Sequence, residues 1–287
     1  QNMKNDEIIT VSCPIVNVHG SLDETPEDNI NESQQLVIST KSLPYDDWKK
    51  TRVYASISEF LYFNKIVQIP LLVINELEKI KFRDLFEHFS NCGEDLKTLK
   101  SINYNFEQHA VQISKGKSEF LYKEGFLDIY WPPGEFEYIK LVADKKLDQF
   151  YLEFKEHFLK FCKSEKTQRI FSESVELNKK MMRLPWSEDD EIFNLSFNII
   201  ESYKDILKLN KPNIIPKKNK VKIIRTDMKF NDIQHWMREV IWYGHRSGKY
   251  LCNIEKIENK TIDDKEKSLN ETSKGENAGR LLGPYIV

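Results

Sequence analysis

The residues best suited to chemistry cluster in WYGHRSGKY, from Trp242 to Tyr250. Two amphipathic aromatics, Trp242 and Tyr243, precede His245 and Arg246 beside a pair of glycines. Such groups can bind an anion or a carboxylate, because guanidinium and imidazole supply donors and the rings supply a flat apolar wall. Trp242, Tyr243, His245 and Arg246 are therefore the candidate substrate-binding residues. The same stretch is not a phosphate loop. GHRSGK has one residue too few between its glycines, and Tyr250 stands where a magnesium-binding Ser or Thr belongs.

Other reactive residues carry less. His88 and Cys92 are four apart and would share a helix face, but no second pair with that spacing completes a zinc site. His157 and Cys162 are five apart and do not align. Buried cysteine and partly buried histidine are the expected roles. The acidic clusters Asp46-Asp47 and Glu188-Asp189-Asp190-Glu191 fall where helices are expected to start, and carboxylates there favour the positive end of the dipole. No nucleophile elbow, H-E-x-x-H or protein-kinase set occurs. No catalytic, metal or cofactor-binding residue is assigned to the chain.

The elements that position these residues must come from 287 residues with 43 Lys+Arg against 45 Asp+Glu. A net charge of -2 removes any global case for nucleic acid or an anionic membrane as partner. Ten glycines are about half the usual share of ~7%, too few for a barrel or sandwich with many tight turns. The four cysteines, at 13, 92, 162 and 252, contain no C-x-x-C and form no disulfide framework. The longest apolar stretch, Ile66 to Ile74, is too short to span a bilayer and carries Gln68 and Pro70. No charged-then-apolar leader opens the chain, so a reducing cytoplasm is the expected setting.

Periodicity predicts a mainly α (α+β) fold, an irregular helical domain with a small C-terminal β element. Residues 1–44 read as an N-terminal extended or linker segment, with QLVIST, Gln35 to Thr40, as a β-prone run. Residues 45–210 read as the helical domain. Val53, Ile57, Phe60 and Leu61 mark its first helix, and a second is expected from Pro70 through Leu77 and Ile80. Phe82, Leu85, Phe86 and Phe89 mark a third, with Gly93 as its cap. An aromatic interruption, Gly116 to Phe136, precedes the clearest stripe: Leu147, Phe150, Tyr151, Phe154, Phe158 and Phe161. A further helix covers roughly 166–182. Ser187 with Asp190 predicts the start of another, carrying Ile192, Leu195, Ile199, Tyr203 and Ile206. Lys211 to Asn219 reads as a linker with two prolines. Residues 211–257 then form a small αβ closing element: strands at Val221 to Arg225 and Tyr250 to Ile257 around a helix with Trp236 and Val240. The polar tail, 258–287, reads as disordered.

Three passages resemble the C-terminal region of cobalamin-binding radical SAM proteins. The first, Gln34 to Ile66, is similar to a V-x-x-T-x-x-(M/L)-P-x-x-D-W passage, matched at Val37, Thr40, Leu43, Pro44, Asp47 and Trp48. The second, Phe82 to Phe89, looks like the short aromatic helix of that family. The third, Trp236 to Glu255, is similar to a terminal E-V-V-W-Y-G-R-(K/R)-G-G-x-(F/Y) passage, matched at Glu239, Val240, Trp242, Tyr243, Gly244, Gly248 and Tyr250. Here His245 replaces the arginine that follows the glycine, and Arg246 comes next.

The resemblance implies an accessory, substrate-capping domain of a cobalamin-dependent radical SAM enzyme, of the methyltransferase type. It implies as partners a radical SAM barrel and a cobalamin-binding domain, in the same or a separate chain, and a small-molecule or peptide substrate. A [4Fe-4S] cluster, S-adenosylmethionine and cobalamin are then expected in the full-length enzyme and none in this chain, whose scattered cysteines cannot supply C-x-x-x-C-x-x-C. This chain alone is expected to be inactive. The competing expectation is a non-enzymatic helical interaction or scaffold module.

Overall fold

The computed structural model describes residues 7–20, 32–227, 229–244 and 249–257. The polar tail from 258 and most of the acidic loop at 23–33 lie outside the described residues. β1 (Ile9–Pro14) and β2 (Ser33–Ser39) pair antiparallel, and β2 contains most of the β-prone run. Cys13 from this hairpin packs with Trp48 and Ile113 in a small cluster of its own.

α1 (Tyr45–Ser58) follows, with Asp46 and Asp47 in its first turn as the dipole favours. It runs straight into a π-helical turn, Glu59–Phe63, which buries Phe60 and Leu61. α2 (Gln68–Glu78) starts two residues before Pro70, so Pro70 sits where its missing N–H costs nothing. It ends at Lys79 in the left-handed conformation, which leaves Ile80 outside the helix. α3 (Phe82–Ser90) takes Asn91, not Gly93, as its C-cap. α4 (Lys97–Ser114) is the longest helix and packs along α1.

The aromatic interruption becomes a short hairpin, β3 (Leu121–Tyr122) with β4 (Tyr130–Trp131). α5 (Pro133–Ala143) begins at the second proline of the pair. α6 (Leu147–Leu159) carries the expected phenylalanine stripe, and Phe150, Phe154 and Phe158 are fully buried in the main core. α7 (Glu165–Met181) opens on a capping box between Ser164 and Thr167.

The helix expected from Ser187 is not formed there. Residues Glu191–Phe197 are a strand, β5, and only Ile199–Leu207 is helical, as α8. Phe193, Leu195 and Phe197 alternate inward, and this period of two overrides the helical spacing of Ile192, Leu195 and Ile199. Asp190 caps no helix. Its carboxylate accepts from the Arg225 and Thr226 backbone N–H groups and pairs with Lys222, which together hold its pKa well below the usual range.

The linker expected over Lys211 to Asn219 is half strand, because β6 runs from Pro216 to Ile224. β7 (Asn253–Lys256) completes a three-stranded antiparallel sheet in the order β5-β6-β7. The small β element thus takes its first strand from the range read as helical. Between β6 and β7, α9 (Ile233–Trp236) passes into a second π turn, Met237–Trp242. A second core, separate from the main helical one, lies between α2, α7 and this sheet. The fold is mainly α, with nine α-helices among the described residues and small antiparallel sheets. No single described helix is long and apolar enough to cross a membrane.

Candidate functional site

Both π turns pack against α5, and their residues meet at its N-terminus. Local π geometry re-aims side chains and recurs at functional positions. Pro132 and Pro133 end β4 and fix the entry into the helix. Gly134 follows, and its N–H donates to Glu59 Oε2 at 3.1 Å, from the start of the first π turn. Any larger residue would collide here: a Cβ on Gly134 would stand 2.8 Å from Glu59 Cδ and 2.9 Å from the Phe60 nitrogen.

Glu135, in the first turn of α5, is completely buried, which the positive end of the helix dipole tolerates. Its Oε2 meets His19 Nε2 at 2.7 Å. His19 is placed by the loop after β1, where its N–H donates to the Tyr130 carbonyl at 2.7 Å and its φ is +59°. The Tyr250 hydroxyl also hydrogen-bonds Glu135. Burial raises the Tyr250 pKa well above its ordinary value, and the charges of Glu135 and Glu59 add to this. Tyr250 therefore stays protonated and donates.

Aromatic rings wall the imidazole. Trp131 meets His19 edge-on at 5.1 Å, and Trp242, at the end of the second π turn, lies at 5.8 Å. Tyr243 packs on Trp242 at 5.2 Å and is 49% exposed, so it forms the outer edge of the group. A carboxylate that grips one ring nitrogen orients an imidazole. Trp131 and Glu135 are fully buried, so the face of the group that a ligand can meet is the Trp242–Tyr243 edge.

Trp242 and Tyr243, two of the four residues expected from sequence, stand at this site. His245 and Arg246 lie outside the described residues. Sequence reasoning missed His19, Glu59 and Glu135. Glu135 lay within the aromatic interruption, flagged only by the Pro-Pro-Gly before it, and His19 carried no signal at all. Tyr250 closes the reactive stretch and one of the resembling passages but is not among the four candidates. Among the described residues, no group of three or more His, Cys, Asp or Glu side chains is placed to hold a metal ion. His88 stacks on His157 at 3.9 Å instead of sharing a ligand with Cys92, whose sulfur takes a hydrogen bond from Asn103. The four cysteines are free and buried in three different clusters, which does not fit an iron–sulfur centre. No family model matches the chain, and no curated protein matches it either.

Proposed function

We propose that this chain is the substrate-capping accessory part of a cobalamin-dependent radical SAM enzyme of the methyltransferase type. One observation carries the reading. Two of the three resembling passages, far apart in sequence, converge on one site: Glu59 from the first, and Trp242, Tyr243 and Tyr250 from the third, around Gly134 and Glu135. In this reading Trp242 and Tyr243 face a small-molecule or peptide substrate, and the Glu135–His19 pair holds Trp242 in place. Covering the mouth of a barrel would exclude water from a reactive intermediate. The cluster, S-adenosylmethionine and the corrinoid would be held by a barrel and a cobalamin-binding domain, as the resemblance implies. The setting is the cytoplasm.

The test is the product of the full reading frame, purified without oxygen. It is expected to be brown and to contain iron and corrinoid. A colourless product with neither would overturn the reading and leave a helical interaction module in its place.

A further inference from the structure

We propose that the edge formed by α8 and the segment leading into β6 docks on an anionic lipid surface, with Leu207, Leu209 and Ile215 entering the headgroup region and lysines meeting the phosphates. The proposal stands apart from the reading above and uses no residue of the His19 site. The chain is almost neutral overall, but its charge is unevenly placed. From Lys204 to Lys218 it carries five lysines against one aspartate. Lys204, Lys208, Lys211 and Lys218 are exposed, and none makes an ion pair among the described residues. Lys217 shares the Glu201 carboxylate with Lys256, at 3.3 and 2.7 Å, so one anion faces two cations.

The backbone keeps these residues together. α8 ends in a Schellman turn: the Leu209 N–H donates to the Ile206 carbonyl at 3.0 Å, and that of Asn210 to the Asp205 carbonyl at 2.9 Å. The chain then runs back along the helix. Asn198, just before its first turn, accepts from the Ile215 N–H at 2.7 Å and donates to the Asn213 carbonyl at 2.9 Å. The exposed residues in between therefore border one element. Leu209 is the tip. It is 90% exposed, with Leu207 at 40% and Ile215 at 44%. Its φ of +60° is one that glycine or asparagine adopts readily and leucine does not. Neither packing nor backbone geometry within the chain calls for a leucine there; an apolar medium outside the chain would.

The combination selects the partner. Lysines meet phosphates on lipid headgroups and on nucleic acids alike. A nucleic acid would offer these positions bases to stack on aromatic rings, but the side chains presented are aliphatic. Aliphatic side chains among lysines fit the boundary between headgroups and hydrocarbon, where the first enter and the second stay at the surface. No single described helix is long and apolar enough to cross a bilayer, and docking of this kind needs none.

The test uses the full 287-residue chain and flotation with two kinds of vesicle, phosphatidylcholine alone and phosphatidylcholine with phosphatidylserine at about 7:3. The chain is expected to float with the anionic vesicles, to stay behind with the neutral ones, and to be released as salt screens the lysines. Leu209→Asn, which suits the left-handed backbone, should weaken binding about tenfold and leave the thermal midpoint no lower. Lys208→Gln with Lys211→Gln should weaken it by about the same factor, through exposed side chains that hold nothing in the fold. No flotation, equal flotation with neutral vesicles, or undiminished binding by Leu209→Asn would overturn the proposal. So would tighter binding to a single-stranded RNA than to the vesicles, unaffected by Leu209→Asn, which would make the lysines a nucleic-acid contact.

Discussion

Gly134 is the residue on which the site depends most sharply. It lets the backbone of α5 approach the first π turn, and the Glu59 carboxylate fills the space a side chain would take. Gly134→Ala is expected to destabilise the fold by about 2 kcal/mol, as overpacking of a close contact does. Urea unfolding measures this, and near-ultraviolet dichroism should report the displaced Trp131 and Trp242. An unchanged midpoint would mean that Glu59 swings aside at no cost. At this scale the sequence was half legible. Trp242 and Tyr243 stood out by type and crowding. Glu135 and His19 are 116 residues apart, and nothing local in either segment announces that they meet.

At the scale of elements, the helical stripes and most helix starts could be read, but the side chains that cap several of those starts could not. The reason is where the caps come from. Ser164 and Asp232 cap α7 and α9 from the adjoining chain, as sequence rules expect. Other starts borrow distant side chains. Glu153 on α6 accepts from the Thr98 and Leu99 N–H groups at the start of α4. Asn178 on α7 accepts from Ile69 N–H in α2 and donates to the Ile66 carbonyl. Conversely Ser187 and Asp190 had the form of a cap, but Asp190 serves a strand turn.

Helices α3 and α6 are joined by a reciprocal pair. His88 Nε2 lies 3.0 Å from the His157 carbonyl and His157 Nε2 lies 2.8 Å from the His88 carbonyl, with the rings stacked. Burial lowers both pKa values, that of His88 to about 4. An unfolded histidine takes up its proton near pH 6.5. The pair's contribution is therefore intact above that pH and lost as pH falls towards 4. His109 acts in the same sense, and Glu137, raised by burial, acts in the opposite one. Replacing His88 and His157 together with Phe is expected to flatten the fall in urea midpoint across this window. An unchanged slope would refute the assignment to this pair.

At the scale of the whole molecule, two cores share one chain, and Arg183 ties them. Its guanidinium grips Asp227 through two hydrogen bonds of 3.1 and 2.9 Å, and its Nε donates to the Leu251 carbonyl. Its own backbone accepts from Trp236 Nε1 and donates to the Tyr250 carbonyl. One residue after α7 thus fixes α9 and the approach to β7. Arg183→Leu is expected to cost about 3 kcal/mol, because it strands a partly buried carboxylate. Amide exchange should show β6 and β7 losing protection before α4 and α6. Uniform loss across the molecule would show the cores to be a single cooperative unit.

The scattered, buried cysteines make the protein its own set of timers. Burial raises the pKa of every one, that of Cys162 to about 11, so none reacts as a thiolate while its surroundings stay closed. Together they mark three regions: Cys13 the N-terminal hairpin, Cys252 the sheet core, and Cys92 and Cys162 the helical core. The rate at which a thiol reagent modifies each one, read by mass spectrometry of the peptides, reports how often that region opens. Cys13 and Cys252 are expected to be modified ahead of Cys92 and Cys162, and Arg183→Leu should hasten Cys252 alone.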